Sequence, residues 1–304
     1  MVASVMPMDV ANRLLKPEVL ARLGSLDLVA RTVVDGVTTG LHRSPHFGFS
    51  QEFAEYRAYN EGDDLRYVDW NVYARTDRTY IKRFQGETNT AVTLLLDASA
   101  SMGYGTPVTK MRQALHLVAS LAYMTRKQHD ALGLAIFDET VRQYLAPSAR
   151  PDALVRTLAR LERCEAGAGT DIIEALGSLR ASMTRRGLVI VVSDLYADAD
   201  ELLKALQPLA HHGQDLAVFH VLDQQEIEPS MARISALRDL ETDDTVIVDP
   251  GFLQNAYRTK FSAHCESVQQ ACRRIGADYT QVMSSEPLDA ALQGFLRFRE
   301  RRGR

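Results

Sequence analysis

From about residue 91 to the end, short apolar runs rich in β-branched residues alternate with longer stretches in which apolar residues recur every three or four positions. The short runs suit strands and the longer ones amphipathic helices, and their alternation predicts a parallel sheet covered by helices. Strands are expected at 92–96, 131–137, 188–193, 216–222 and 277–282. Helices are expected at 110–126, 152–161, 171–183 and 201–210. In the first of these, Met111, Ala114, Leu115, Val118, Leu121 and Ala122 share one stripe. The runs 92–96 and 188–193 are almost wholly apolar, as strands buried on both faces are, so they are placed centrally. The fold class expected is α/β, a doubly wound and mostly parallel sheet, with ligands bound beyond the C-terminal ends of its central strands.

The first 90 residues have a different texture, with helical stretches near 17–37 and then no clear period. Residues 56–84, YRAYNEGDDLRYVDWNVYARTDRTYIKRF, set aromatics close to opposite charges, which predicts an ordered arm packed on the main domain rather than a free linker. Trp70, with Tyr67 and Tyr73, is read as a packed seam holding that arm to its domain, with a partner hot spot as the alternative. Residues 79–84 alternate as an edge strand or as half of a hairpin with 90–96, and residues 245–248 alternate as part of a small β-hairpin insertion near 234–248. The division expected is 1–90, N-terminal helices and arm, and 91–304, the α/β domain.

Composition narrows the function classes. With 46% hydrophobic and 24% charged residues the chain has the balance of a folded, water-soluble protein. Its 35 Lys and Arg against 39 Asp and Glu give a net charge of -4, so no basic excess favours nucleic acid as the main partner. Cys164, Cys265 and Cys272 are too few and too scattered for a disulfide framework or a Cys-rich zinc site, which fits a reducing compartment. The first fifteen residues lack a basic start and a continuous apolar core, and no later run approaches the roughly 20 residues of a membrane helix. A cytoplasmic chain without a transmembrane segment is expected.

The chemistry is concentrated in D-A-S-A-S-M-G, directly after the apolar strand, where Asp97, Ser99 and Ser101 can gather one carboxylate and two hydroxyls around a point. Hard oxygen ligands of this kind suit Mg²⁺ or Mn²⁺. Asp and Ser after a strand are equally ordinary helix caps, as is Thr170 in G-A-G-T-D. The joint order carries the weight: D-x-S-x-S after one buried strand, G-T-D opening a later helix, and Asp194 in V-V-S-D-L ending the other central strand. Tyr104, Asp171 and Tyr196 flank these loops, either as a partner-binding surface or as capping and solvated residues. Asp97 also stands where a phosphatase nucleophile does, but haloacid-dehalogenase-like phosphatases place a general-acid Asp two residues on, and here that position is Ser99. Neither a G-x-S-x-G elbow nor a G-x-x-x-x-G-K-[ST] loop is present, so no catalytic residue is assigned.

The order DASAS, GAGTD, VVSDL resembles the metal-ion-dependent adhesion site of von Willebrand factor A domains. The arm GDDLRYVDWNVYARTDRTYIKRF resembles the signature of the bacterial "domain of unknown function 58" proteins, with Gly62, Asp63, Arg66, Asp69, Trp70, Ala74 and Arg75 on its pattern. The similarity runs over about residues 48–299 and includes LRDLETDDTVIVDP. Glu61 departs from it, since the family commonly has proline there, and the N-terminal membrane helices of many relatives have no counterpart. The resemblance implies a divalent-metal-dependent protein–protein interaction module rather than an enzyme, working with an AAA+ ATPase of the MoxR type. It further implies that Ser99, Ser101 and Thr170 bind the ion directly and that Asp97 and Asp194 bind directly or through water. A partner's Asp or Glu would then complete the shell of an under-neutralised dication. The alternatives are a Mg²⁺-dependent phosphoryl-transfer enzyme using Asp97 and a structural interaction protein whose metal site stays unoccupied.

Overall fold

A computed structural model describes residues 25–41, 53–58, 68, 70–76, 78–84, 90–167, 169, 171–180, 182–183, 186–229, 235–238, 245–248 and 256–302. The chain divides into a smaller unit, residues 44–89, and a larger one formed by residues 1–43 together with 90–304. In chain order the elements are α1 (Leu26–Leu41), β1 (Phe53–Ala58), α2 (Trp70–Thr76), β2 (Tyr80–Phe84), β3 (Ala91–Asp97), a 3-10 turn (Ala100–Gly103) and α3 (Lys110–Lys127). They continue with β4 (Ala131–Phe137), β5 (Val141–Ser148), α4 (Ala153–Leu161), α5 (Ile172–Arg180), β6 (Gly187–Ser193), α6 (Ala199–His211) and β7 (Asp215–Leu222). A one-turn α7 (Gln224–Ile227), β8 (Ser235–Arg238), β9 (Thr245–Val248), α8 (Arg258–Arg274), β10 (Asp278–Met283) and α9 (Asp289–Arg302) complete the series.

Six strands of the larger unit form one sheet in the order β10-β7-β6-β3-β4-β5. All neighbours are parallel except the edge pair β4–β5, so the expected doubly wound, mostly parallel α/β fold is the one observed. Strands β3 and β6 are buried at every position after the first, which is why their sequences show unbroken apolar runs instead of alternation. Leu95 lies in a core shared with Leu176 of α5, Leu202 and Leu206 of α6 and Val268 of α8. Its neighbours Leu94 and Leu96 are equally buried and face the other side of the sheet. There α3 packs on the sheet and is in turn covered by α1, whose Val29, Ala30, Val33 and Val37 are buried. Helix α1 thus belongs to the same unit as the sheet, although the sequence expectation grouped it with the arm.

From β3 the chain proceeds outward through β4 and β5, then returns to the other side of β3 to lay down β6, β7 and β10. The direction of winding therefore reverses between β3 and β6, and the crevice beyond their C-terminal ends is where a doubly wound sheet binds ligands. Strand β5, half-exposed along its length and containing Pro147, follows neither an apolar run nor clean alternation and was not expected. As an edge strand it tolerates both features.

Of the two readings of residues 79–84, an edge strand holds and a hairpin with residues 90–96 does not. Strand β2 pairs antiparallel with β1, from Phe53 opposite Phe84 to Ala58 opposite Tyr80, and not with β3, both of whose edges are taken by β4 and β6. Trp70 and Tyr73 meet edge to face at 6.1 Å and are 59% and 41% exposed; Tyr67 lies outside the described residues. The short hairpin expected near 234–248 is present as β8 and β9.

Gly187 lies opposite Ala91 on the neighbouring central strand. A Cβ there would stand 2.1 Å from the Ala91 carbonyl oxygen, which the paired backbone cannot yield. We predict that Gly187→Ala destabilises the fold by about 2–4 kcal/mol, measured by urea denaturation.

Candidate functional site

Asp97 is the last residue of β3 and wholly buried, and the chain then turns sharply through Ser99 into the 3-10 turn. The turn is fixed by its own carboxylate: Asp97 Oδ1 accepts the Ser99 amide at 2.9 Å. The Ala98 amide donates to the Phe137 carbonyl at 2.7 Å, and the Ala98 carbonyl accepts the Gly167 amide at 2.7 Å. With the backbone so held, the hydroxyls of Ser99 and Ser101 converge to 3.0 Å. The two serine hydroxyls thus stand side by side, while Asp97 meets Ser99 through the backbone amide.

Asp194 follows β6 directly and is also buried, so the two central strands each end in a carboxylate at the reversal of winding. Ser193 links them, donating from its hydroxyl to Asp97 Oδ2 at 2.5 Å while accepting the Leu195 amide at 2.9 Å. Leu195 is non-glycine yet left-handed, with φ 52, and its side chain is buried in the core. Such a conformation persists only where the surroundings impose it. Here His264 Nε2 donates to the Leu195 carbonyl at 3.1 Å, and His220 Nε2 donates to the Asp194 carbonyl at 2.8 Å. The second nitrogen of His220 accepts the Tyr279 hydroxyl at 2.7 Å. Burial pushes His220 down to about 4, which fits this neutral form.

Burial, and then the charge of Asp194, push the Asp97 carboxyl up to about 7, against the opposing hydrogen bonds of Ser193 and Ser99. Beneath the pair, the ammonium of Lys110, first residue of α3, contacts Asp194 Oδ2 at 2.7 Å and Glu226 Oε1 at 2.6 Å. Burial opposes that ammonium, but Asp194 and Glu226 outweigh it and hold the lysine above its usual value. Glu226 Oε2 accepts the Asp223 amide at 2.8 Å, and Asp223 Oδ2 accepts the Ser284 hydroxyl at 2.5 Å. The floor therefore collects four buried carboxylates, Asp97, Asp194, Asp223 and Glu226, while Lys110 is the only buried lysine or arginine among the described residues. An excess of buried negative charge beside two converging hydroxyls is a donor set that fits a hard dication. Among the described residues no group of three or more His, Cys, Asp or Glu is placed to hold a metal, so an ion here would depend on the serine oxygens.

Thr170 lies outside the described residues. On either side of it, Gly167 is anchored to Ala98, and the Asp171 amide donates to the Asp138 carbonyl at 3.2 Å. The Asp171 side chain accepts the amides of Ile173 and Glu174 at 3.1 and 2.9 Å, so it caps α5. Tyr104 and Tyr196 are 37% and 44% exposed at the rim. The Tyr104 hydroxyl donates to Gln225 Oε1 at 3.0 Å, and the Tyr196 ring lies 4.8 Å from the Lys110 ammonium and stacks on His264 at 6.3 Å. Sequence reasoning missed Lys110, Ser193, His220, Asp223, Glu226 and Ser284. The one available signal was Lys110, which shares a helical face with Ala114, Leu117 and Leu121 at four-, seven- and eleven-residue spacing.

Residues 55–271 match the family described as "Protein of unknown function DUF58". An uncharacterized protein of Mycobacterium tuberculosis is 27% identical over 291 residues, spanning 94% of this chain and 91% of its own. Among solved structures, the conserved hypothetical protein BatB of Bacteroides thetaiotaomicron is similar with TM-score 0.47 and 18% identity, covering 69% of this chain and 98% of BatB. The VWA domain of SpRpn10 is similar with TM-score 0.40 and 10% identity, covering 67% of this chain and 94% of that domain. No helix among the described residues is long and apolar enough to cross a membrane.

The raised Asp97 fixes the sign of a pH dependence. A carboxyl whose folded value, about 7, exceeds its ordinary 3.8 contributes stability below pH 4 that is lost as pH rises through 7. In chelator, the wild-type unfolding midpoint should fall relative to Asp97→Asn between about pH 4 and pH 8, by several degrees, as thermal melts at stepped pH will show.

Proposed function

The chain belongs to the DUF58 family, and we propose that it is a von Willebrand A-like interaction module whose partner binds through a divalent cation, Mg²⁺ or Mn²⁺. The observation that carries the reading is the pairing of Asp97 and Asp194 at the ends of the two central strands, beside the Ser99 and Ser101 hydroxyls at 3.0 Å. Ser99 and Ser101 would hold the ion, with Thr170 as the resemblance implies and with the aspartates bound directly or through water. The ion would supply positive charge that an incoming Asp or Glu of the partner completes. The chain's own residues pre-arrange that event: Ser193 and the Ser99 amide orient Asp97, and His220 and His264 hold the backbone of Asp194 and Leu195. Tyr104 and Tyr196 stand at the rim as contact residues, whereas Asp171 serves the helix cap.

The partner proposed is an AAA+ ATPase of the MoxR type in the cytoplasm, on the strength of the family resemblance. The chain itself is assigned no catalytic turnover. An ion at a hundred times its dissociation constant adds about 2.7 kcal/mol to the folded state. Mg²⁺ or Mn²⁺ should therefore raise the wild-type melting midpoint by several degrees over chelator and leave Asp97→Ala unmoved. In pull-downs, capture of the ATPase should require the metal and should be lost in the Ser99→Ala/Ser101→Ala double variant. Capture indifferent to chelator would overturn the reading.

A further inference from the structure

Lys110 is fully buried, and it sits in the first turn of α3, where the helix dipole disfavours a cation. Replacing a buried ion pair as a whole by well-packed apolar residues is often neutral or stabilising, so stability alone is a weak reason for this one. Its two carboxylate contacts are the ones that matter to the site: Asp194 Oδ2 at 2.7 Å on one side and Glu226 Oε1 at 2.6 Å on the other. Glu226 is itself held through its second oxygen by the Asp223 amide, so the ammonium is moored at a fixed place and cannot swing away when the charge around Asp194 changes.

Resting on the dication reading above, we infer that Lys110 is an internal counter-cation that competes with the metal for Asp194 and so sets how weakly the site holds an ion by itself. One oxygen of Asp194, Oδ2, is engaged by the ammonium at 2.7 Å. A dication entering beside Asp97 and Asp194 meets the fixed positive charge at short range, in surroundings where charges are weakly screened. Glu226 moderates this competition by sharing the ammonium. Lys110 is a positioning residue in this scheme, since it acts on the ion through Asp194.

The scheme predicts opposite signs for two neutralising substitutions. Lys110→Met removes the competing charge and frees Asp194, so Mn²⁺ affinity should rise tenfold or more even though the protein is less stable in chelator. Glu226→Gln leaves Asp194 as the only carboxylate on the ammonium, so Mn²⁺ affinity should fall several-fold. A purely structural lysine predicts weakened binding in both variants. The experiment is calorimetric titration of the full chain with Mn²⁺ for wild type, both variants and Asp97→Ala, with melts in chelator as the folding control. Tighter binding in Lys110→Met with weaker binding in Glu226→Gln supports the inference. Asp97-dependent binding that Lys110→Met leaves unchanged or weakens, or that Glu226→Gln tightens, overturns the inference and leaves the metal site standing. Absence of Mn²⁺ binding in every protein overturns both. If Lys110→Met does not fold, the direction of the Glu226→Gln change decides alone.

Discussion

The ammonium of Lys110, held between Asp194 and Glu226, is the interaction on which the remainder of the site depends. A lysine with no exposed surface is tolerated only where carboxylates stay beside it, and removing one partner of such a group costs about 3–5 kcal/mol. The contact therefore ties the start of α3 to the ends of β6 and β7. From Glu226 the linkage passes to Asp223 and then to Ser284 after β10, and the Asp194 carbonyl is held by His220, itself oriented by Tyr279. Fully partnered buried networks of this kind are rigid, because each lost bond leaves a desolvated polar group.

Above this floor the topology does the rest. Because the winding reverses between β3 and β6, the two strands that end in Asp97 and Asp194 are neighbours, although the residues are far apart in the chain. Their carboxylates stand in a buried place with too little positive charge, and Ser193 bridges the two strand ends. Leu195 is turned into the left-handed region just beyond, anchored by its side chain in the core and by His264 at its carbonyl. The loop that carries Ser99 and Ser101 is fixed from both sides, by Phe137 and by Gly167. The Ser99 and Ser101 hydroxyls are thereby held 3.0 Å apart, and the rings of Tyr104 and Tyr196 are partly exposed near the same loops.

The apolar runs of β3 and β6, the helical stripe of α3 and the D-x-S-x-S, G-T-D, S-D order were each readable from the sequence, because each is a local pattern of a few consecutive residues. They sufficed for the α/β class and for the two central strands, β3 and β6. Strand β5 escaped because an edge strand is half solvated and needs neither alternation nor an apolar run. The partner of β2 escaped because alternation marks a strand but not its neighbour, and β3 had no free edge to offer. Asp171 was ambiguous for a similar reason, since a capping carboxylate and a surface carboxylate share one sequence signature, and only the amides of Ile173 and Glu174 resolve it. The floor of the site was decided by tertiary structure alone. Lys110 meets Glu226 across 116 residues and Ser193 meets Asp97 across 96, and no pattern along the chain encodes which buried charge will face which until the strands are laid side by side.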